Sequence, residues 1–570
     1  MAKKLFSSLR LRLPHYIVLA GIASLLGIAL AGLKQPACWS VYYPGIGTGS
    51  SPRLTDLNGD GILDVVMGAG AEENQRTDVA VMAIDGKDGQ LLWKKAGRNQ
   101  MVGSALFQDI TKDHIPDVFI GGRTAELMAL DGRNGKLIWE FFPQGDTVNA
   151  ARQGWYNFYT PQWVPDQDKD GVMDLLIANG GDNQIAPFDT NRPAGRLLVL
   201  SGRTGKVLAQ ATMPDGKETY MSAICANLSV KGNTTIVFGT GGETIGGHLF
   251  RTTLQELMQG DLSQATLLAS SEQKGFIAPP VFADINRDGV YDILANEVEG
   301  RLIAINGADN TLLWEKAIPG TEAYSTPTIG YFNGDSIPDF FINYGIGVWP
   351  GIEYSVQCML DGRTGGEEFR DTIGAFQYAS AVVVDYNTDG YDEVLLPVNE
   401  QRGDTVSNSY LVMIDFREGK KIPVGDTLPG INLASTPWIG DLDQDQKADI
   451  VYSSVNFSLR NNDLTHPIGL RITCLKTQIA MPKILAWGHI WAVNIQAFLI
   501  HYPLCHQGAP LIWIVNSFPD LLPLFCSGYH RLVFFINYLE LYAIYLYLCL
   551  EPVLKLFFKK VHFEPPFTGL

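Results

Sequence analysis

Positive charge is in short supply in this chain. Its 570 residues hold 43 Lys and Arg against 60 Asp and Glu, a formal net charge of -17. That balance argues against a nucleic-acid partner, because neutralising phosphates takes Lys and Arg. Cysteine is scarce as well. There are seven, none in a zinc-like CxxC pair, and only Cys38, Cys225 and Cys358 fall between the N-terminal apolar run and residue 465. Disulfides therefore do not frame the fold, and these cysteines read as free or incidentally buried. Histidine is nearly missing from the same stretch: His114 and His248 stand alone before residue 460, and no Ser/His/Asp arrangement is legible. The Gly-rich residues 239–248 lack the Lys of a phosphate loop and read as a turn between strands. Charged residues make up only 18% and Gly numbers 59, which suits many short strands and turns rather than long surface helices.

What the chain does have is one acidic sentence, Asp-x-Asn/Asp-x-Asp-(Gly)-x-x-Asp, repeated about every 45 to 60 residues. Copies start at Asp56, Asp109, Asp166, Asp284, Tyr331, Asp385 and Asp441. The double-length gap between Asp166 and Asp284 holds a worn unit, residues 222–229 and then 235–239, without carboxylates. Within a unit the pattern is strand, turn, strand, turn, strand. After the Asp56 loop come residues 65–68, then 79–85, a turn at 86–89, and 91–93; the next unit repeats this at 118–122, 127–131, 132–136 and 137–139. The turn motif Ala-x-Asp-Gly-x-x-Gly ends in Trp93, Trp139 and Trp314, with Ala209 and Phe369 in that place elsewhere and a faint copy at Asp415. These Trp residues are expected to pack between neighbouring sheets, since cofactor stacking would need a polar central site that the sequence does not reveal.

One such unit cannot bury both faces of its sheet, so neighbours must stack, and a closed ring leaves the fewest edges. The expectation is an all-β chain: a β-propeller of eight four-stranded blades over residues 45–465. Seven blades are the alternative, if the first and last units share one.

At this point the acidic loops resemble the FG-GAP (VCBS-type) repeats of integrin α-subunit propellers and bacterial surface proteins. The Asp-Gly-x-Thr-Gly-x-x-x-Trp half resembles the repeat of pyrroloquinoline-quinone-type propellers.

Oxygen side chains at alternate positions of a tight turn suit calcium, which takes six to eight oxygens in tolerant geometry. Positions 1, 3, 5 and 9 supply side chains, and position 7 a backbone carbonyl. The first loop offers Asp56, Asn58, Asp60, Ile62 and Asp64. Asp166, Asp168, Asp170 and Asp174 form another, as do Asp284, Asn286, Asp288 and Asp292, and Asp441, Asp443, Asp445 and Asp449. Gly61, Gly171 and Gly289 at position 6 allow the sharp turn. Closure at position 9 rather than 12, with strands following, separates these from a helix-flanked calcium hand. Asp109, Thr111, Asp113 and Asp117 lack that Gly and should bind more weakly. Asn333, Asp335 and Asp339 follow Tyr331 and lack the first carboxylate, while Asp385, Asn387 and Asp389 close with Glu393. The competing reading is an Asx-rich turn without metal. Several calcium ions are expected, structural rather than catalytic, making folding calcium-dependent.

Both ends differ from the repeats. Lys3, Lys4, Arg10 and Arg12 precede an apolar run at residues 16–33, so residues 1–37 read as an N-terminal apolar helix: a signal peptide, with 29–31 as a small-residue cleavage site, or an uncleaved membrane anchor. Residues 480–570 form an apolar tail with five of the nine histidines. It reads either as membrane-associated or, preferably, as an out-of-frame product. Residues 489–498 can be encoded by DNA that reads Ala-Tyr-Met-Gly-Ser-Gln-Tyr-Ser-Gly-Val in the neighbouring frame, an ordinary Gly/Tyr strand ending.

The expected function is an exported calcium-binding propeller, at a cell surface, outer membrane or periplasm, that binds protein or glycan ligands in adhesion. A membrane link through the N-terminal segment is part of that expectation. The alternatives are a quinone-dependent dehydrogenase, suggested by the Trp-bearing half-repeat, and a scaffold for outer-membrane assembly. The tripeptide Arg402-Gly403-Asp404 matches an integrin-recognised adhesion motif, but three residues match easily by chance.

Overall fold

The computed structural model describes residues 37–141, 150–182, 184–229, 233–348, 351–375, 377–402, 405–457 and 466–481. Within them the strands form eight antiparallel sheets of four strands, two of which carry one extra short strand. Blade 1 is Arg53–Thr55, Asp64–Gly68, Thr77–Ile84 and Leu91–Gly97. Blades 2 to 7 repeat this order along the chain. The worn unit is blade 4: Ile224–Ala226, Thr235–Gly239, Gly247–Thr253 and Thr266–Ser271, with a short helix at Leu254–Met258. Blade 8 combines Trp438–Gly440, Lys447–Phe457 and Pro467–Ala480 with Ala37–Pro44 as its outer strand. The first unit thus makes a blade of its own and the count is eight, not seven. The sheets also reach past the expected 45–465 at both ends. The apolar N-terminal helix and the tail from residue 482 lie outside the described residues, as do Gly403 and Asp404 of the tripeptide.

Stacking explains the strand chemistry. The second strand, Asp64–Gly68, is buried at every position, whereas the outer strand Leu91–Gly97 alternates. A middle strand is covered on both faces by neighbouring blades, so it carries a continuous apolar run. The core accordingly lies between blades: Val66, Ala83 and Trp93 of blade 1 pack with Val118, Ile120 and Leu130 of blade 2.

Two devices join blade to blade. The outer-strand Trp docks on the next blade's Asp-Gly turn and donates its indole N–H to the glycine carbonyl: Trp93 to Gly132 at 2.7 Å, Trp139 to Gly202 at 2.9 Å and Trp314 to Gly362 at 2.9 Å. Trp39 does the same from blade 8 to Gly86 at 2.7 Å. Blade 4 has no such Trp, and Arg251 reaches the Gly307 carbonyl instead at 2.8 Å. Between blades 6 and 7, Phe369 packs on Phe416, which stands where the turn glycine would be, with ring centroids 5.1 Å apart.

The second device is a girdle of hydroxyls just before each first strand. The backbone N–H of Ser51 donates to Ser104, Ser104 to Thr160, Thr160 to Ser222, Thr326 to Ser380, Ser380 to Thr436, and Thr436 back to Ser51. Equivalent positions of successive blades come within hydrogen-bond distance only near the axis, so the first strands are innermost. Blade 5 has Pro279 at this position, with neither hydroxyl nor N–H, and the girdle is open on both sides of it.

Antiparallel order also sorts the loops. Acidic loops join strands one and two, Asp-Gly turns join three and four, and both lie on one face of the ring. The connections between blades and the loops joining strands two and three lie on the other. Among the described residues no helix is long and apolar enough to cross a membrane.

Candidate functional site

All seven acidic loops form tight turns satisfied largely by their own amides. Asp56 accepts from Gly59 at 2.6 Å and Gly61 at 2.9 Å, Asn58 from Asp60 at 2.9 Å, and Asp60 from Ile62 at 2.9 Å. Position 6 is left-handed in every loop: φ is 85° at Gly61, 85° at Gly171, 84° at Gly289 and 87° at Gly390, but also 69° at His114, 63° at Ser336 and 65° at Gln446. The turn geometry therefore persists where the glycine does not.

The closing carboxylate does more than the sequence suggested. Asp64 is fully buried; one oxygen accepts from Leu57 at 2.8 Å and the other from Gly86 at 3.0 Å. It thereby ties the acidic loop to the Asp-Gly turn of the same blade. Asp117, Asp174, Asp292 and Asp339 make the same link to Gly132, Gly202, Gly307 and Gly362. Burial, the largest cause in each case, pushes Asp64 and Asp292 up to about 6, Asp339 and Asp449 to about 7 and Glu393 to about 8, against the opposing pull of the amide bonds.

The loops differ in their fit to a cation. Asp166, Asp168 and Asp174, and separately Asp441, Asp443 and Asp445, bring three carboxylate oxygens within 4.8 Å of one another. An all-oxygen set of this kind fits calcium. Elsewhere an amide fills the ligand position: Asn286 points its N–H₂ at Asp288 (3.1 Å), and Asn333 points its own at Asp339 (3.1 Å). Asn387 turns toward Glu393 at 3.4 Å. Thr111 lies 3.4 Å from each of Asp109, Asp113 and Asp117. Four position-5 carboxylates already face a guanidinium from the adjoining turn: Asp113 with Arg133 at 2.8 Å, Asp170 with Arg203 at 3.2 Å, Asp335 with Arg363 at 3.8 Å and Asp389 with Arg417 at 3.1 Å. Lys476 pairs with Asp443 in blade 8. Of the two three-carboxylate clusters, the one with Asp166, Asp168 and Asp174 is clear of a basic partner. Those residues would hold the ion, and the ion would supply positive charge to a turn that buries a carboxylate.

The opposite face carries a polar centre that the sequence reading did not find. Arg192 pairs with the buried Glu218 at 3.1 Å, and Tyr220 donates to the same carboxylate at 3.2 Å. Lys274 pairs with Glu322, which also accepts from Tyr324 at 2.6 Å. Tyr324 meets Tyr378 edge to face at 4.6 Å, and Tyr159 lies 6.3 Å from Tyr220. Between these groups stands Glu243, in the loop joining strands two and three of blade 4. No described side chain hydrogen-bonds to its carboxylate. Burial, then the field of Glu322, pushes it up to about 7, with Lys274 and Arg123 opposing. The Gly-rich residues 239–248 thus connect strands as expected, and also present Glu243. His248 is satisfied by Asp215 at 2.7 Å.

A family model described as the FAM234A/B beta-propeller matches residues 53–377, more than half of the chain and most of the ring. The chain belongs to the FAM234A/B beta-propeller family. Protein FAM234B of Homo sapiens is 24% identical over 363 residues, which cover 57% of this chain and 53% of that protein. The chain thus spans about half the length of the curated relative it matches. Among solved structures, the quinohemoprotein alcohol dehydrogenase of Comamonas testosteroni is 13% identical, covering 79% of this chain and 78% of its own with a TM-score of 0.47. BamB of Moraxella catarrhalis is 11% identical, covering 77% and 97% with a TM-score of 0.41. Nothing functional follows from either likeness. The family that matches is FAM234A/B, so the FG-GAP resemblance remains one of loop motif.

For this FAM234A/B propeller the missed residues have an identifiable origin. Tyr159, Tyr220, Lys274 and Tyr324 belong to connections between blades, which carry no fixed motif. The only shared signal is position, a few residues before each first strand.

Proposed function

We propose that this chain is an exported binding module of the FAM234A/B family that takes a glycan, free or on a protein, at the face around Glu243. Calcium on the opposite face would pin its acidic loops. The observation that carries the binding reading is the convergence on Glu243 of groups from the connections into blades 3 to 6, while Glu243 itself has no described hydrogen-bond partner. Groups that only brace the ring are satisfied within it, as Glu218 and Glu322 are. Tyrosine rings offer flat amphipathic surfaces to sugars, and an ionised carboxylate accepts from their hydroxyls. Support for calcium is the oxygen set of Asp166, Asp168 and Asp174 together with the likeness of the seven loops to FG-GAP repeats. A glycan array probed with the folded protein tests the reading. Retention of a defined glycan class, lost in Glu243→Gln, is expected. An array without hits, or hits equally strong with Glu243→Gln, would remove it.

A further inference from the structure

The ring closes on a seam between strands far apart in the chain. Ala37–Pro44 pairs antiparallel with Pro467–Ala480, from Ala37 opposite Leu475 to Pro44 opposite Gly469. Every other sheet among the described residues is built from strands consecutive in the chain, so a frayed strand stays tethered beside its partner. Fraying of Ala37–Pro44 instead opens the ring.

The seam's register slips once, between Ala37 and Trp39. At such a bulge two residues oppose one, so Cys38 and Trp39 together face Cys474. Across the seam each thiol is the strongest influence on the other. Cys38 is exposed, whereas Cys474 is fully buried against the core of blade 8. Two residues on, Ser40 and Thr473 share a hydroxyl hydrogen bond at 2.9 Å, which fixes the register next to the pair. Cys225 and Cys358, the other described cysteines, are buried in blades 4 and 6.

We propose that Cys38 and Cys474 form a disulfide that welds the ring shut in an oxidising compartment, with a small-molecule or protein disulfide as electron acceptor. The exposed Cys38 attacks one sulfur of that acceptor, forming a mixed disulfide and releasing one thiol. Cys474 then attacks the Cys38 sulfur and releases the second thiol. The two cysteines lose two electrons, the acceptor gains them, and both cysteine protons end on the released thiols. The bond stabilises chiefly by restricting the unfolded chain, an effect that grows with the length enclosed, and here it encloses nearly the whole propeller. In a reducing compartment the thiols persist and the seam stays non-covalent.

The test equilibrates the full chain in glutathione buffers of rising oxidised fraction, blocks free thiols by alkylation and maps unreduced peptides by mass spectrometry. The expected product is a Cys38–Cys474 linked peptide, lighter by two hydrogens and absent after dithiothreitol. The oxidised protein should melt several degrees above the reduced one, and Cys38→Ser, at an exposed position, should abolish that gap. Recovery of both residues as alkylated thiols from folded protein in the most oxidising buffer overturns the proposal. So does Cys38 left as a glutathione adduct or bonded to another cysteine, or a bond that leaves the melting temperature unchanged.

Discussion

The backbone N–H of Thr436 donates to the hydroxyl of Ser51 at 3.0 Å, which brings the last blade's first strand against that of the first blade. Five more bonds of the same sense run round the axis and stop on either side of Pro279. Each is a single hydroxyl accepting one amide, so the girdle sets blade spacing with small, separate contributions.

Ser51→Ala leaves the Thr436 amide without its acceptor in a partly buried place. The expected loss is about 1 kcal/mol, read as a lower denaturant midpoint at unchanged slope. No change would mean that water replaces the hydroxyl.

Trp93→Ala removes a nearly buried ring and its bond to Gly132, so a loss of about 3 to 5 kcal/mol is expected in the same measurement. Gly135→Ala should also be severe from the other side of the contact. Gly135 sits at φ 69°, and an added Cβ would lie 2.6 Å from the Trp93 ring. A mild effect of either change would show that the Trp–Gly contact is not what holds blades 1 and 2 together.

His114 holds the left-handed position 6 of its loop with a side chain that disfavours it. His114→Gly is expected to stabilise the protein by about 1 kcal/mol, visible as a raised melting temperature. A lowered one would mean that the imidazole makes a compensating contact.

The buried closing carboxylates give calcium dependence a direction in pH. Without an ion, Asp449, which closes one of the two three-carboxylate loops, holds its proton to about 7, and burial likewise raises Asp174 of the other. The unfolded chain releases both protons near the ordinary carboxylate value, so between there and the folded values the folded state binds more protons. Their contribution to stability is therefore present at low pH and lost as pH rises through the folded values. Calcium takes the deprotonated form, so its rise in melting temperature over chelated protein should grow between about pH 5 and pH 8. Equal shifts at both pH values would contradict closure of these loops by calcium.

Much of the fold was legible because it repeats. The acidic sentence and the Asp-Gly turn mark the two loop types of one face, and the double gap before Asp284 placed blade 4 although its carboxylates are gone. Pro467–Ala480 was missed because blade 8 lacks the Asp-Gly turn that follows the third strand in most other blades. With it went Cys474, and the partner of Trp39 went unseen for the same reason: the outer strand of blade 8 comes from the other end of the chain. The spacing from Trp39 to Trp93 resembles that from Trp93 to Trp139 and was the available clue. The girdle hydroxyls and Glu243 left no such trace, since Ser, Thr and Glu at single positions are too common to stand out until the ring brings them together.

The most direct measurement is calorimetric titration of the array's best glycan into wild-type, Glu243→Gln and Tyr324→Ala proteins, and into a variant of the opposite face, Asp168→Asn, all in calcium. Loss of binding in the first two variants with native melting, retained affinity in Asp168→Asn, and weaker wild-type binding as pH falls below about 7 are expected. Full affinity in Glu243→Gln and Tyr324→Ala, with binding lost in Asp168→Asn, would contradict the placement of the ligand site.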